Sequence, residues 1–297
     1  MLSKLVPGRL KALLRGVFRK LLHAHLPDVF PRALPSLEGF FPHHPQARCY
    51  LLPKVPEKAA FHEASPLPVP PRELWLGYGQ TVEEYLVGGR HNVQALVEVI
   101  GRSGAPIASA GRILEFGCGA GRMIRWLADL TATCEVWGTD ISASAIVWCQ
   151  QHLTPPFHFA TTTIWPHLPF EDRYFGLIYA GSVFTHLDDL ADAWFLELRR
   201  ILRPGGKLYI TVHDRNTVAL FNGREREQWL PQYLRTIPEY EKFSRSDFGM
   251  FTIGRSLHSQ VFYDVDFLRR KLEPFFRVLS ITEEAYNYQS AVLLERL

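Results

Sequence analysis

The stretch ILEFGCGAGR, residues Ile113 to Arg122, joins a short apolar run to three glycines at alternate positions. Its first four residues are apolar apart from one acid, Glu115, and they predict a buried strand. Gly117, Gly119 and Gly121 follow at once, before a segment with helical periodicity. Glycine allows positive φ and lets a ligand approach the backbone without obstruction from a Cβ. The stretch therefore predicts a strand, a tight loop and a helix around a ligand.

The alternation of strand and helix continues along the chain. The predicted strands are RILEF, CEVWGTD, FHFATT, FGLIYAG and GKLYITVH, and the predicted helices are NVQALVEVI, RMIRWLADL, ASAIVWCQQHL and LADAWFLELRRIL. Strands separated by helices form a parallel sheet that is covered on both faces. Ligands of such open sheets bind beyond the carboxyl ends of the strands, where the winding direction reverses. We therefore expect the binding site at the glycine loop.

A second acid, Asp140, ends the next predicted strand in the stretch WGTDIS. An acid at this place can accept hydrogen bonds from both hydroxyls of a ribose. Arg122 stands where the dinucleotide fingerprint G-x-G-x-x-G requires its third glycine, and no GKS or GKT follows the loop as in a P-loop. The pattern therefore favours a nucleoside ligand without a pyrophosphate.

Composition limits the partners of the chain. The formal net charge of its 297 residues is +3, which is too small to imply nucleic acid as a partner. The four cysteines are scattered and have no histidines at zinc spacing, so we expect free thiols in a reducing compartment and no metal. The chain contains no apolar run long enough to span a membrane, and its N-terminus lacks the apolar core of a secretory signal. These features predict a cytoplasmic protein.

The first 73 residues differ in composition from the rest. Residues 1–26 contain apolar positions at helical spacing between basic ones, which predicts a basic amphipathic helix over residues 9–22. This helix could dock on its own domain or a second subunit, lie peripherally on the inner membrane surface, or act as an organellar presequence. Residues 27–73 are rich in proline and predict an arm or linker. The domain with regular structure then spans residues 74–297.

These stretches together resemble the class I S-adenosylmethionine-dependent methyltransferases over roughly residues 90–297. ILEFGCGAGR with GTDIS resembles the cofactor site of the family, LPFEDRYFGLIYAGSVFTHLDD its fourth-strand region, and ELRRILRPGGKLYITVHD its helix, Pro-Gly-Gly turn and fifth strand. PPRELWLGYG and YLVGGR resemble the segment before the first strand in bacterial members, many of which act on small molecules or saccharides. The resemblance implies an α/β, Rossmann-like sheet of seven strands, mostly parallel with an antiparallel last strand, and S-adenosyl-L-methionine as the cofactor.

The resemblance also assigns roles to individual residues. The residues expected to line the methionine portion of the cofactor are Glu115, near its ammonium group, and Gly117, Cys118, Gly119 and Gly121. Those expected at the nucleoside are Asp140 on the ribose hydroxyls, Ile141 against the adenine, and Thr161. Thr161, Thr162 or a backbone group would replace an acid that the family often places against the adenine amino group.

Two histidines are candidates for a catalytic base. His186 in SVFTHLDD follows the fourth strand of the family pattern, and His213 in TVHD ends the fifth. An imidazole can remove a proton near neutral pH, and a base adds about 10²–10⁴-fold to the rate. Asp188 and Asp189 are expected to begin the next helix and bind its unpaired N–H groups. Asp214 is not expected to face His213, since adjacent side chains of a strand point to opposite faces.

Residues 215–262 form an insertion rich in aromatic residues. We expect it to cover the acceptor as a lid, although the aromatic residues could instead only pack the insertion onto the core. The chain lacks the motifs of DNA methyltransferases and the clustered acids of a metal site. The predicted reaction is therefore methyl transfer to a small molecule, in the first place to a hydroxyl of a saccharide or glycolipid. N- or C-methylation of another small metabolite and a non-catalytic, cofactor-binding partner subunit are the alternatives.

Overall fold

The computed structural model describes residues 60–63, 65–104, 106–254 and 259–297. The strands of these residues are β1 (Ala60–His62), β2 (Ser65–Val69), β3 (Arg112–Phe116), β4 (Glu135–Asp140), β5 (His158–Thr161), β6 (Phe175–Ala180), β7 (Leu202–Val212), β8 (Met250–Ile253), β9 (Gln260–Tyr263), β10 (Phe276–Tyr286) and β11 (Gln289–Arg296). Their α-helices are α1 (Val82–Arg102), α2 (Ala143–His152), α3 (Ala191–Ile201), α4 (Arg215–Asn222), α5 (Trp229–Arg235), α6 (Pro238–Ser244) and α7 (Val265–Leu272). Three 3₁₀ segments span Arg72–Leu74, Ile107–Ala110 and Ile124–Ala132.

Seven strands form one sheet in the order β10-β11-β7-β6-β3-β4-β5. The neighbours from β7 to β5 pair in parallel, whereas β11 runs antiparallel to both β7 and β10. The chain winds from β3 to β5 on one side and then from β6 to β7 on the other, so the direction reverses beside β3. The fold prediction is confirmed, and the carboxyl ends of β3 and β6 mark the expected ligand site.

Helices cover both faces of this sheet. Residues of α1, α2 and the 3₁₀ segment Ile124–Ala132 share one buried apolar cluster with β3 and β4. Residues of α3 and α7 share a second cluster with β6, β7 and β11. The side chains of α1 follow the helical period of NVQALVEVI, because Val93, Leu96 and Ile100 are buried.

Local structure follows the predictions with three differences. The helix predicted from RMIRWLADL is a 3₁₀ segment, and Met123, the residue before it, provides no side-chain cap. The Pro-Gly-Gly turn lies within the bounds of β7, where the register with β6 shifts between Phe175 and Leu177. Part of the predicted proline-rich arm forms strands, because β1 and β2 pair antiparallel. Proline is tolerated there because both strands are short edge strands. No helix of the described ranges is long and apolar enough to cross a bilayer.

The aromatic insertion folds into α4, α5, α6 and the β8–β9 hairpin, around a buried cluster of its own. Five of its aromatic residues are buried: Phe221, Tyr240, Phe248, Phe251 and Phe262. A parallel bridge between His213 and Phe262 attaches the insertion to the carboxyl end of β7. Its role as a lid stays a prediction. The basic helix predicted over residues 9–22, with the membrane contact considered for it, lies outside the described residues, as does most of the arm.

Candidate active site

The glycine loop adopts the backbone that its sequence requires. Gly117, Gly119 and Gly121 have φ values of 84°, 52° and 77°, a region that residues with a side chain rarely adopt. A Cβ at Gly117 would lie 2.3 Å from Cγ2 of Val183, and one at Gly121 would lie 2.5 Å from Cδ1 of Leu153. At Gly119 the nearest atom would be 3.5 Å away. The outer glycines are therefore required by packing as well as by φ, and Gly119 is the least crowded position.

Asp140 fixes the middle of this loop. The amide of Gly119 donates a hydrogen bond of 2.7 Å to Oδ2 of Asp140, and the amide of Ser142 donates one of 2.8 Å to Oδ1. The side chain is buried, and this burial raises its pKa although the amides oppose the effect. The amide of Ile141 also stabilises the carboxylate, and of its roughly four acceptor positions part is left for a ligand. Ile141, the next residue, is half-buried. Thr161 on β5 is the register partner of Asp140.

Glu115 is a buried carboxyl group at the end of β3. It is 3% exposed, and the hydroxyl of Tyr179 donates a hydrogen bond of 3.0 Å to its Oε2. Burial raises its pKa to about 8, although the hydrogen bond and the charge of Arg122 act in the opposite direction. The carboxyl group is therefore mostly protonated near neutral pH. A cation placed beside it would favour the ionised form.

Cys118 turns its side chain away from the open side of the loop. Its Sγ would lie 2.9 Å from a Cβ at Gly138, so the thiol packs against β4. Burial raises the pKa of this thiol well above its usual value. A thiol that stays protonated is a poor nucleophile. Only the backbone of Cys118 remains to line a ligand.

Arg122 forms a cluster that the sequence analysis missed. Arg122 is 7% exposed, and its guanidinium group donates hydrogen bonds to Oδ1 of Asn92, at 2.9 Å, and to the hydroxyl of Tyr286. The centroid of the Tyr78 ring lies 4.0 Å from its Cζ. A Cβ at Gly89 of α1 would lie 2.4 Å from the carbonyl oxygen of Arg122. Two glycines inside a helix, in YLVGGR, were the sequence signal for this close packing.

His213 lies in an aromatic enclosure at the carboxyl end of β7. It is 1% exposed, and its ring centroid lies 6.0 Å from that of Phe221, 5.0 Å from Phe262 and 5.7 Å from Tyr288. Neither ring nitrogen has a hydrogen-bond partner among the described residues. Desolvation, together with the charge of His186, lowers its pKa to about 3. The imidazole is therefore neutral at physiological pH.

His186 is exposed beside the β8–β9 hairpin. Its Nδ1 lies 2.7 Å from the carbonyl oxygen of Ser259, so Nδ1 carries the hydrogen in the neutral ring. The expectation that Asp188 and Asp189 cap the next helix is wrong, because α3 begins after Leu190, which caps it without a side-chain bond. Asp188 instead accepts a hydrogen bond from the Ser259 hydroxyl.

Asp214 follows β7 and Ser182 follows β6, at the carboxyl ends of these strands. Oδ1 of Asp214 accepts a hydrogen bond of 2.9 Å from the amide of Thr217 and caps α4, so it does not orient His213. Beyond β6, Ser182 has a φ of 57°, which is uncommon for a residue with a side chain.

A ring of hydrogen bonds joins Ser182 to Thr211 and Gln289. The Ser182 amide donates to Oγ1 of Thr211 at 2.7 Å, this hydroxyl donates to Oε1 of Gln289 at 2.6 Å, and Nε2 of Gln289 donates to the Ser182 hydroxyl at 2.9 Å. Pairing of β11 with β7 brings Gln289 to this edge. Sequence reasoning missed all three residues. The described residues contain no group of three or more acids, histidines or cysteines that could hold a metal ion.

Comparisons with known proteins agree with this geometry. Residues 114–210 match a family model described as a methyltransferase domain. A demethylmenaquinone methyltransferase of Lactiplantibacillus plantarum is 35% identical over 109 residues, which cover 34% of this chain and 45% of that protein. A fatty-acid O-methyltransferase of Mycolicibacterium smegmatis is 27% identical over 143 residues, or 48% of each. The chain therefore spans about half the length of these curated relatives.

A solved structure extends the likeness to most of the sheet. The crystal structure of the PH0226 protein from Pyrococcus horikoshii OT3 superimposes with a TM-score of 0.53 and 19% identity, over 74% of this chain and 95% of that one. At this identity the likeness concerns the fold alone. The family match begins in β3 and ends in β7, so it includes the glycine loop and Asp140. Residues 114–210 are therefore similar to a methyltransferase domain, and the sheet around them is similar to that of the solved structure.

Proposed function

We propose that the chain transfers a methyl group from S-adenosylmethionine to a small-molecule acceptor. One observation carries this proposal: two buried carboxyl groups, Glu115 and Asp140, flank a loop of positive-φ glycines at the point where the sheet reverses its winding. Asp140 has acceptor capacity left for ribose hydroxyls, and Glu115 suits an ammonium group. Gly119 offers the ligand a backbone without a side chain. The residues present therefore fit this cofactor.

The chain has to align the acceptor and exclude water. When bound, S-adenosylmethionine supplies a methyl carbon that its sulfonium already activates. Orientation of the reacting groups is worth roughly 7–11 kcal/mol. With a hydroxyl acceptor, an imidazole of this chain would take the hydroxyl proton. His186 and His213 are the proposed imidazoles, and burial makes His213 a weak base because it lowers the pKa of that ring to about 3. The Ser182–Thr211–Gln289 ring offers hydroxyl and amide groups to a polar acceptor.

Two acceptor classes follow from different parts of this edge. The ring of polar side chains supports our first proposal, a hydroxyl of a saccharide or glycolipid. The aromatic enclosure of His213 favours instead an acceptor with an apolar body. Two relatives are named as methyltransferases of demethylmenaquinone and of a fatty acid, and both of these acceptors have an apolar body. An acceptor screen should therefore contain saccharides and glycolipids beside quinone precursors and fatty acids.

Calorimetric titration with S-adenosylmethionine and S-adenosylhomocysteine tests the cofactor site. We expect micromolar binding of both ligands and release of a proton near neutral pH, since the ligand ammonium should ionise Glu115. The measurement is the observed enthalpy in two buffers with different ionisation enthalpies. Between about pH 6 and 7.5 the affinity should rise with pH, by at most about tenfold per unit.

The variant Glu115→Gln is the control for this proton release. It should bind without the dependence of enthalpy on the buffer, because its side chain has no proton to lose. Absence of binding by the folded wild-type protein would contradict the proposed function. Binding without proton release would contradict the assignment of Glu115 to the ammonium group.

Replacing His213 with phenylalanine separates a catalytic from a structural role. The phenyl ring of the variant suits the aromatic enclosure. It also removes the two unpaired ring nitrogens of His213, and each unpaired polar atom costs roughly 1–3 kcal/mol when buried. We therefore expect a higher melting temperature, together with a kcat lowered about tenfold or more on an acceptor identified by the screen. A variant that is more stable and fully active would show that His213 takes no part in the reaction.

A further inference from the structure

Arg122 is a buried cation without an anionic hydrogen-bond partner in the described part of the chain. Its bonds go to the amide oxygen of Asn92 and the hydroxyl of Tyr286, and Tyr78 covers it with its ring. All of these groups are neutral. An ionised Glu115 would raise the pKa of Arg122, but burial keeps this carboxyl group mostly protonated near neutral pH. A buried charge of this kind is normally paired with an opposite charge, because desolvation without a partner is costly.

A second observation comes from Asn92 on α1. This side chain is 1% exposed, and its Oδ1 accepts the hydrogen bond from Arg122. Its Nδ2 has no acceptor among the described residues, and neither has Nε1 of Trp126, which would lie 3.1 Å from a Cβ at Gly89. Hydrogen-bond donors therefore outnumber acceptors around Arg122. A ligand that binds there should be negatively charged and offer more than one oxygen.

The cluster lies at the edge of the sheet where the reaction is proposed to occur. Arg122 directly follows the last glycine of the loop. Tyr286 packs on Gly181, the residue after β6, where a Cβ would lie 2.7 Å from its Cε2. The hydroxyl of Tyr286 donates a hydrogen bond of 3.1 Å to that of Tyr78. An anion bound here would be held between the glycine loop, the end of β6 and the segment that carries Tyr78.

We propose that Arg122 binds a carboxylate of a ligand, while Asn92, Tyr78 and Tyr286 hold its guanidinium group in position. A guanidinium group presents N–H groups in one plane, which match the two oxygens of a carboxylate. This proposal rests on the proposed methyltransferase function. The carboxylate has two possible sources, the amino-acid portion of the cofactor and the acceptor itself, and experiments can distinguish them.

The first experiment compares S-adenosylmethionine with its decarboxylated form, which keeps the ammonium group. If the carboxylate is that of the cofactor, the full-length wild-type protein should bind S-adenosylmethionine about 10- to 100-fold more tightly than the decarboxylated form. Arg122→Gln should remove this preference and leave the affinity for the decarboxylated form nearly unchanged. Both affinities are measured by calorimetry.

The second experiment tests the acceptor as the source. Protein saturated with S-adenosylhomocysteine is titrated with octanoate and with 1-octanol as probes of equal chain length. A preference for octanoate that Arg122→Gln removes would assign the carboxylate to the acceptor. Equal binding within both pairs of ligands would overturn the proposal. Because the decarboxylated cofactor would still bind in that case, this result differs from a failure of the proposed function, in which no nucleoside binds.

Arg125 provides the matched control. It is also buried, but it donates to the carbonyl oxygens of Leu67 and Pro68 and so fastens β2 to the domain. Arg125→Gln should lower the melting temperature without changing the preference for a carboxylate. Arg122→Lys keeps the charge but loses the planar arrangement, so it should retain part of the preference. Circular dichroism establishes that each variant is folded before its affinities are compared.

Discussion

Replacing Asp140 with alanine is expected to lower the affinity for S-adenosylhomocysteine by about 10²-fold or more. The carboxylate is the proposed partner of two ribose hydroxyls, and a hydrogen bond to a charged group is worth roughly 1.5–3 kcal/mol. The same substitution removes the acceptor of the Gly119 and Ser142 amides, so the loop also loses its internal support. Calorimetry of the folded variant gives the combined effect.

A ligand without one ribose hydroxyl separates these two contributions. The wild-type protein should bind the 2′-deoxy form of S-adenosylhomocysteine more weakly than the parent compound by about tenfold or more. Asp140→Ala should bind the two compounds equally, because the partner of the hydroxyl is gone. If the variant still discriminates between them as the wild type does, Asp140 does not contact the ribose.

Ser142→Ala is the matched control for the loss of stability. The Ser142 hydroxyl accepts a hydrogen bond from the Ala145 amide and caps α2, directly after the loop that Asp140 supports. Its removal should cost about 1 kcal/mol of stability. Affinity for S-adenosylhomocysteine should nevertheless stay at the wild-type level. A large loss of affinity in this control would mean that loop stability, and not a ribose contact, explains the effect of Asp140→Ala.

The features that the sequence predicted are those set by short-range patterns. Strand and helix periods alternate clearly from residue 90 to residue 213, and this alternation is sufficient for a parallel sheet. The glycine spacing predicts the loop, since positive φ at Gly117, Gly119 and Gly121 is a local property of the backbone. Asp140 was found because it ends the strand beside that loop.

The features that the sequence did not predict depend on contacts between distant parts of the chain. Tyr286 meets Arg122 only because the β10–β11 hairpin pairs with β7, across 164 residues of sequence. Burial of His213 likewise requires the β9 strand and α4 to pack around it. No local period encodes either contact. The one early sign was the glycine pair in α1, which marks a close approach but does not identify the partner.

Replacing Gly117 with alanine should destabilise the protein by roughly 2–5 kcal/mol. About 1–2 kcal/mol comes from the φ of 84°, which is unfavourable for a residue with a Cβ. Contact of the new Cβ with Cγ2 of Val183, at 2.3 Å, adds about 1–3 kcal/mol of overpacking. The loss is measured by denaturant unfolding, and it is large compared with a total stability of about 5–15 kcal/mol.

Two further variants divide this loss into its causes. Gly104 has a φ of 86° and no atom within 4 Å of an added Cβ, so Gly104→Ala should show the cost of a similar φ without the contact. In the Gly117→Ala background, Val183→Ala removes both γ-methyl groups, including the one that causes the contact, and should recover the steric part of the loss. Equal losses in Gly104→Ala and Gly117→Ala, or no recovery in the double variant, would contradict the packing argument. The role of Gly117 would then be limited to its φ, and Val183 would not determine which residue the loop accepts there.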